Sequence, residues 1–276
     1  MSPASRTPDF YDDEPRSFAF PGLTPVVKWL LIANIGLGVL FLLTLRSEFA
    51  GQVHDLLALD SERWRARAPL VPLWELVTFG FLHSRVDPTH VLFNMLGLFF
   101  FGTAMEARLG SRRFAWFYLA AIVVPAVLQL TASLLFHWPV LVVGASGAVL
   151  ALVVALATLE PRARVIFILV PLKLWVLATI YVALDVIGLV AQTGNAAHLV
   201  HLGGAALGFT LVKTGWLWFD PAAAYRQRRE QRVEEQAQSD EQRLDQLLER
   251  IHREGIGSLS ARDKDFLKRM SSRKSG

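Results

Sequence analysis

The chain has no cysteine among its 276 residues, which excludes disulfides and thiolate metal sites but names no compartment. Charge is also scarce: Asp, Glu, Lys and Arg together make 19% of the sequence against 53% apolar residues, and the net charge is only +4. No basic block with interleaved aromatics is present, so nucleic acid is not an expected partner. Weakly alternating segments of about ten residues are missing, which excludes a transmembrane β-barrel. There is no His-Glu-x-x-His helix, the signature of a zinc-dependent membrane protease. There is also no internal repeat of the kind that builds many transporters.

What is there is a series of long apolar blocks separated by short charged punctuation. This is the composition of an all-α, polytopic membrane protein. Residues 1–23 carry Asp9, Asp12, Asp13 and Glu14 among prolines and are expected to form a flexible cytoplasmic tail rather than a signal peptide. A membrane core is expected over 24–219. Its spans are Thr24–Leu45, His90–Glu106, Phe114–Phe136, Ser146–Leu159, a fifth within Val165–Val190 starting near Pro171, and His198–Trp218. Residues 46–89 are too long for a structureless connection and should contain short interfacial helices. Loops 107–113 and 160–164 are basic, and the tail after 219 is rich in arginine, which places both termini in the cytoplasm. The five arginines of the 46–89 loop run against that rule. Residues 220–276 read as a charged cytoplasmic helical extension with an apolar stripe of Leu244, Leu247, Leu248 and Ile251. Ser260 and Asp263 form a helix-starting pair there.

The fourth span holds 14 residues where about 20 are needed to cross a bilayer. A helix starting at Ser146 must therefore begin below the membrane surface and carry its hydroxyl with it. Ser146 belongs to a group of polar residues in apolar surroundings, with His90, Asn94, Asp185, His198 and His201, and each is a functional candidate by default. Gly204 and Gly208 follow His201 at small-xxx-small spacing, and Gly147, Ala151 and Ala155 form a matching ladder after Ser146. Packing the two ladders brings Ser146 beside His201, a hydroxyl beside the base that could activate it. His90 and Asn94 are four apart on one helical face, and both can donate to a developing oxyanion. The free backbone N–H groups at the start of the fourth helix, that of Ser146 included, add further donors.

Gly144-Ala-Ser146-Gly147, His90-Val-Leu-Phe-Asn94, His201-Leu-Gly-Gly204-Ala-Ala-Leu-Gly208 and Gly102-Thr-Ala-Met-Glu106-Ala-Arg-Leu-Gly110 occur in one chain. Together they resemble the rhomboid family of intramembrane serine proteases, of the bacterial type with a short cytoplasmic C-terminal extension. The resemblance covers about residues 24–215. It implies a six-helix core at the cell (inner) membrane, with Ser146 as nucleophile, His201 as general base and acid, and His90, Asn94 and the Ser146 amide as oxyanion donors. It also implies transmembrane protein substrates within the lipid bilayer and no metal or cofactor. Two positions depart from the family pattern: Glu75, not arginine, follows Trp74, and Leu150, not an aromatic, stands four residues after the nucleophile.

The family uses a dyad, so Asp185 is expected to be a helix-packing residue and His198 a cap of the sixth helix. His83 should support the outer loop, His54 and His137 should be loop residues, and Glu106 with Arg108 should stabilise a turn. The alternatives are a catalytically inactive rhomboid relative that binds membrane proteins, or a metal-binding or transport protein using His83, His90, His198 and His201.

Overall fold

The computed structural model describes residues 22–167, 170–191, 197–218 and 221–274. The expected flexible tail falls almost entirely outside these residues. The chain separates into a unit ending at Trp218 and one beginning at Phe219.

The first unit opens with α1 (Pro25–Leu43), in which Pro25 takes the first helical position where its missing N–H costs nothing. Thr24 does not cap the helix with its own side chain. The cap comes from 80 residues away. Glu106 accepts the Val26 N–H at 3.0 Å, the Val27 N–H at 2.9 Å and the Thr24 hydroxyl at 2.5 Å, satisfying donors that the helix leaves open. Arg108 does not join this network as the sequence suggests; its guanidinium pairs with Glu160 at 2.5 Å.

The long connection 46–89 folds into α2 (Glu48–Leu57), α3 (Ser61–Arg67) and α4 (Glu75–Thr78). It is tied down by the strand β1 (Leu59–Asp60), antiparallel to β2 (Leu141–Val142). Three of the five loop arginines are engaged in structural contacts. Arg63 binds the fully buried Glu75 and Asp60, and Arg65 pairs with Glu62. Arg85 donates to the Thr44 and Leu45 carbonyls at 3.2 and 3.0 Å. Glu75 also accepts from the Trp64 indole at 3.1 Å and the Asp60 N–H at 3.0 Å. His54 is buried within α2, not in a loop, and its Nε2 meets the His83 carbonyl at 3.0 Å.

The next span is one helix from Pro88 to Leu109, made of α5 (Pro88–Gly97), a π-helical stretch Leu98–Gly102 and α6 (Thr103–Leu109). Gly110, at φ +75°, separates it from α7 (Ser111–Phe136). The helix α8 (Ser146–Leu159) occupies the expected residues. Most of its residues are buried because it packs against α10, α9, α7 and the π-helical stretch. A helix apolar all round belongs in such a centre.

Ahead of the fifth span, Arg164–Phe167 (β3) pairs antiparallel with Val170–Lys173 (β4), and α9 (Leu174–Ala191) starts three residues after the expected Pro171. Pro171 disfavours the α region for the residue before it, and Val165, Ile166 and Val170 are β-branched residues that suit strands. α10 (Ala197–Lys213) closes the unit. Among the described residues four helices, Pro25–Leu43, Pro88–Leu109, Ser111–Phe136 and Leu174–Ala191, are long and apolar enough to cross a membrane, while α8 has 14 residues and α10 has 17. The protein is a helical, multi-pass membrane protein. Exposed Trp29, Leu43, Trp116, Leu184 and Val190 give these helices apolar outer faces.

The second unit is a hairpin of α11 (Pro221–Glu254) and α12 (Ala261–Lys274) around buried Leu247, Leu259 and Phe266. The predicted capping pair is present: the Asp263 N–H donates to the Ser260 hydroxyl at 3.2 Å, and that hydroxyl donates to the Asp263 carboxylate at 2.7 Å. The Ser260 hydroxyl bond to the carboxylate, together with Arg243, holds the Asp263 carboxyl below its usual range.

Candidate active site

Ser146 is the first residue of α8, and the backbone reaches it through a turn that only glycine adopts easily. Gly144 has φ +127° and donates its N–H to the Phe79 carbonyl at 2.9 Å. Ala145 offers no side-chain cap, so the first N–H groups of α8 have no intrahelical partner.

The α8–α10 packing follows the two small-residue ladders. A β-carbon at Gly204 would overlap the Gly147 carbonyl oxygen, and one at Gly208 would overlap that of Ala151. This approach sets the His201 Nε2 at 2.7 Å from the Ser146 Oγ.

The other ring nitrogen of His201 is also engaged. Its Nδ1 lies 2.8 Å from Asp185 Oδ1 on α9, and the same oxygen lies 2.8 Å from His198 Nδ1. Asp185 is thus buried and hydrogen-bonded, as expected, but its partners are the histidine next to Ser146 and a second histidine one turn away. His198 does not merely cap α10. Its ring lies against Gly188, where a β-carbon would collide with it.

His90 lies near Ser146 across Gly144. The Ser84 N–H points at its Nδ1 at 3.4 Å, which leaves Nε2 as the protonated nitrogen of the neutral ring. That Nε2 faces Gly144: a β-carbon there would sit 2.9 Å from it and 3.6 Å from the Ser146 Oγ. The missing side chain therefore leaves a small space between a hydroxyl and an N–H donor. Asn94 lines the same cavity, with one amide hydrogen donated to the His90 carbonyl at 2.9 Å. At the mouth of the cavity, Asp87 caps α5 by accepting from Thr89. These bonds hold the Asp87 carboxyl below its usual range.

His83 packs edge-on against His90 with ring centroids 5.3 Å apart. It is buried, and neither ring nitrogen has a hydrogen-bond partner among the described residues. Burial pushes its pKa down to about 4, and repulsion from the neighbouring His90 ring, once that ring is protonated, adds to the effect.

The cavity enclosed by α5, α8 and α9 holds about 860 Å³. Its walls are mainly apolar, with Phe93, Leu150, Val153 and Leu177 around the polar end formed by His90, Asn94, Ser146, Asp185 and His201. Such a hollow can take an apolar side chain or a stretch of peptide and present it to one hydroxyl.

Among the described residues, the one group with metal-ligand spacing is Asp185, His198 and His201, whose ligand atoms all lie within 4.8 Å of one another. The four histidines proposed for a metal or transport site do not gather. His83 and His90 form one pair and His198 and His201 another.

Residues 72–218 match the Rhomboid domain family. The chain belongs to the rhomboid family. Its similarity to Rhomboid protein 1, mitochondrial, of Saccharomyces cerevisiae is 30% identity over 156 residues, covering 54% of this chain and 44% of the yeast protein. With RHOMBOID-like protein 12, mitochondrial, of Arabidopsis thaliana it shares 26% identity over 214 residues, covering 66% of this chain and 56% of the plant protein. The chain thus spans about half the length of these curated relatives. Residues 228–273, in the C-terminal hairpin, match a family of unknown function, DUF6576.

Within this rhomboid chain the residue that sequence reasoning undervalued is Asp185. The signal was available: it is the only charged residue between Leu174 and Ala191. An ionisable group inside a membrane helix needs a partner.

Proposed function

We propose that this rhomboid is an intramembrane serine endopeptidase that hydrolyses peptide bonds in or near transmembrane segments of membrane-protein substrates. The observation that carries the reading is the 2.7 Å contact between His201 Nε2 and Ser146 Oγ at the polar end of an otherwise apolar cavity. In the proposed reaction, Ser146 Oγ attacks the scissile carbonyl carbon while its proton passes to His201 Nε2. The carbonyl oxygen becomes an oxyanion that takes hydrogen bonds from the His90 Nε2–H, the second amide hydrogen of Asn94 and the Ser146 backbone N–H. Collapse of the tetrahedral species breaks the C–N bond, and His201 returns the proton to the leaving amine. Water activated by His201 then hydrolyses the acyl-enzyme and restores Ser146. This chemistry draws on no metal or cofactor.

A serine-reactive fluorophosphonate tests the reading. Native protein in bilayers should label and should cleave a transmembrane peptide, and Ser146→Ala and His201→Ala should do neither. A native protein that does not label and does not cleave would point to an inactive rhomboid relative that binds membrane proteins, and this proposal would be wrong.

The proposed setting is the cell membrane with both ends cytoplasmic, supported by the arginines of the loops at 107–113 and 160–164. The cysteine-free background allows a direct check. A thiol reagent confined to the outside should modify Gln52→Cys in the outer loop and leave Ser239→Cys in the C-terminal hairpin untouched; the reverse pattern would invert the topology.

A further inference from the structure

The reading above needs His201 in one particular state, and two residues outside the expected dyad supply it. A neutral imidazole carries one proton, on Nδ1 or on Nε2. To take the Ser146 proton, His201 must hold its own on Nδ1 and present a bare Nε2. Among the described residues, the ring recorded against His201 is that of His198, edge-on at 6.5 Å, and Leu150 offers no aromatic face. What meets Nδ1 is the Asp185 carboxylate, at 2.8 Å.

We infer that Asp185 is a positioning residue for the hydrolysis, holding His201 in the Nδ1–H form, and that His198 anchors the carboxylate from its other side. This inference rests on the proposed roles of Ser146 and His201. Asp185 Oδ1, His201 Nδ1, His201 Nε2 and Ser146 Oγ form a continuous chain, with hydrogen bonds of 2.8 and 2.7 Å at opposite edges of one ring.

His198 does not replace His201 in that chain; it donates from its own Nδ1 to the same oxygen. Its ring is fixed by contact with Gly188 on α9. Asp185 and Gly188 are three apart on α9 and His198 and His201 three apart on α10, so the pairs meet as facing turns. The carboxylate is thereby held from two sides, and 10% side-chain exposure leaves little water to compete for it. A simple latch between α9 and α10 would need only one of these bonds. The bond to His201 Nδ1 lies on the far edge of the ring that faces Ser146, where it controls the proton.

The test uses the full chain in bilayers with a transmembrane peptide. Asp185→Ala should lower kcat by roughly 10²- to 10⁴-fold with KM within about twofold and thermal unfolding close to native. Formate, filling the vacated carboxylate position beside the cavity, should restore part of that rate. Asp185→Asn keeps the shape but can turn an amide N–H toward Nδ1, so it should lose activity and gain nothing from formate. His198→Ala should cost less than Asp185→Ala.

A second readout needs no activity. In Ser146→Ala protein with ¹⁵N-histidine, His201 should appear as the Nδ1–H tautomer, and adding Asp185→Ala should turn it into a mixture. Native kcat in both Asp185 variants, or an unchanged tautomer in the double variant, would overturn the inference. A kcat loss that formate does not restore, accompanied by a large fall in unfolding temperature, would reduce Asp185 to a structural latch and overturn it as well. If native protein shows no hydrolysis, the protease reading fails separately, and the tautomer measurement still decides the role of Asp185.

Discussion

Gly204 of α10 lies directly on the backbone carbonyl of Gly147 in α8, leaving no room for a β-carbon. The obstacle is backbone, which cannot rotate away as a side chain can. Gly204→Ala must therefore push the helices apart next to the Ser146–His201 contact. Overpacking of this kind costs about 1–3 kcal/mol, and a displacement of about 1 Å between reacting groups can cost about 10²-fold in rate. Gly204→Ala should insert and fold with a lowered unfolding temperature, and its peptide cleavage should fall much further than its stability. Wild-type cleavage by the variant would contradict the close packing.

Glu106 ties the end of the second span to the start of the first. It accepts from Val26, Val27 and Thr24, and also from the Ser111 hydroxyl at 2.6 Å. Hydrogen bonds to a charged group are worth about 1.5–3 kcal/mol each, and removing the acceptor leaves its donors unpaired. Glu106→Ala should lose at least about 3 kcal/mol, read as a fall in the detergent-solubilised unfolding temperature. Glu106→Gln, which keeps an acceptor oxygen, should lose less. Equal stability of native protein and Glu106→Ala would remove this cap from the account.

His83 gives the connection between α1 and α5 a pH dependence. Its pKa is about 4 in the folded protein against an ordinary value of 6.5, so the unfolded chain binds the proton more readily. Stability from the neutral, buried ring is fully present above about pH 6.5 and is lost as pH falls through about 4. The difference corresponds to about 3 kcal/mol. Unfolding temperature measured from pH 7.5 down to 4.5 should fall, and His83→Phe should flatten that fall. Parallel curves for the two proteins would assign the acid sensitivity elsewhere.

The site was legible where it rests on spacing within single helices. The glycines and alanines on either side of the α8–α10 contact are four apart, and His90 and Asn94 share a face, so local sequence carries both. Asp185 is different: its bond to His201 depends on how α9 is rotated against α10, which no spacing inside α9 encodes. The same holds for Glu75, buried against Arg63 and Trp64 through the folding of a loop. The β3–β4 hairpin is not legible from pattern alone, because a short apolar run fits either a strand or a helix, and only Pro171 marks where the helix can begin.

Gly144 lies between Ser146, the proposed nucleophile, and His90, a proposed oxyanion donor, and a substitution there tests the two proposed halves of the site separately. Its φ of +127° strains any other residue. A β-carbon would also occupy the space between His90 Nε2 and the Ser146 Oγ, 2.9 Å from the first. His201 is not among the atoms nearest that β-carbon, so its hydrogen bond to Ser146 need not break. Gly144→Ala should therefore lose about 10²- to 10³-fold in kcat, comparable to removal of one oxyanion donor. Fluorophosphonate labelling should slow in parallel, because the phosphoryl oxygen requires the same space. His90→Ala should show the same two losses without the backbone strain. If His90→Ala keeps native cleavage while Gly144→Ala loses it, the oxyanion is held by the α8 backbone and Asn94 alone, and the donor role of His90 falls.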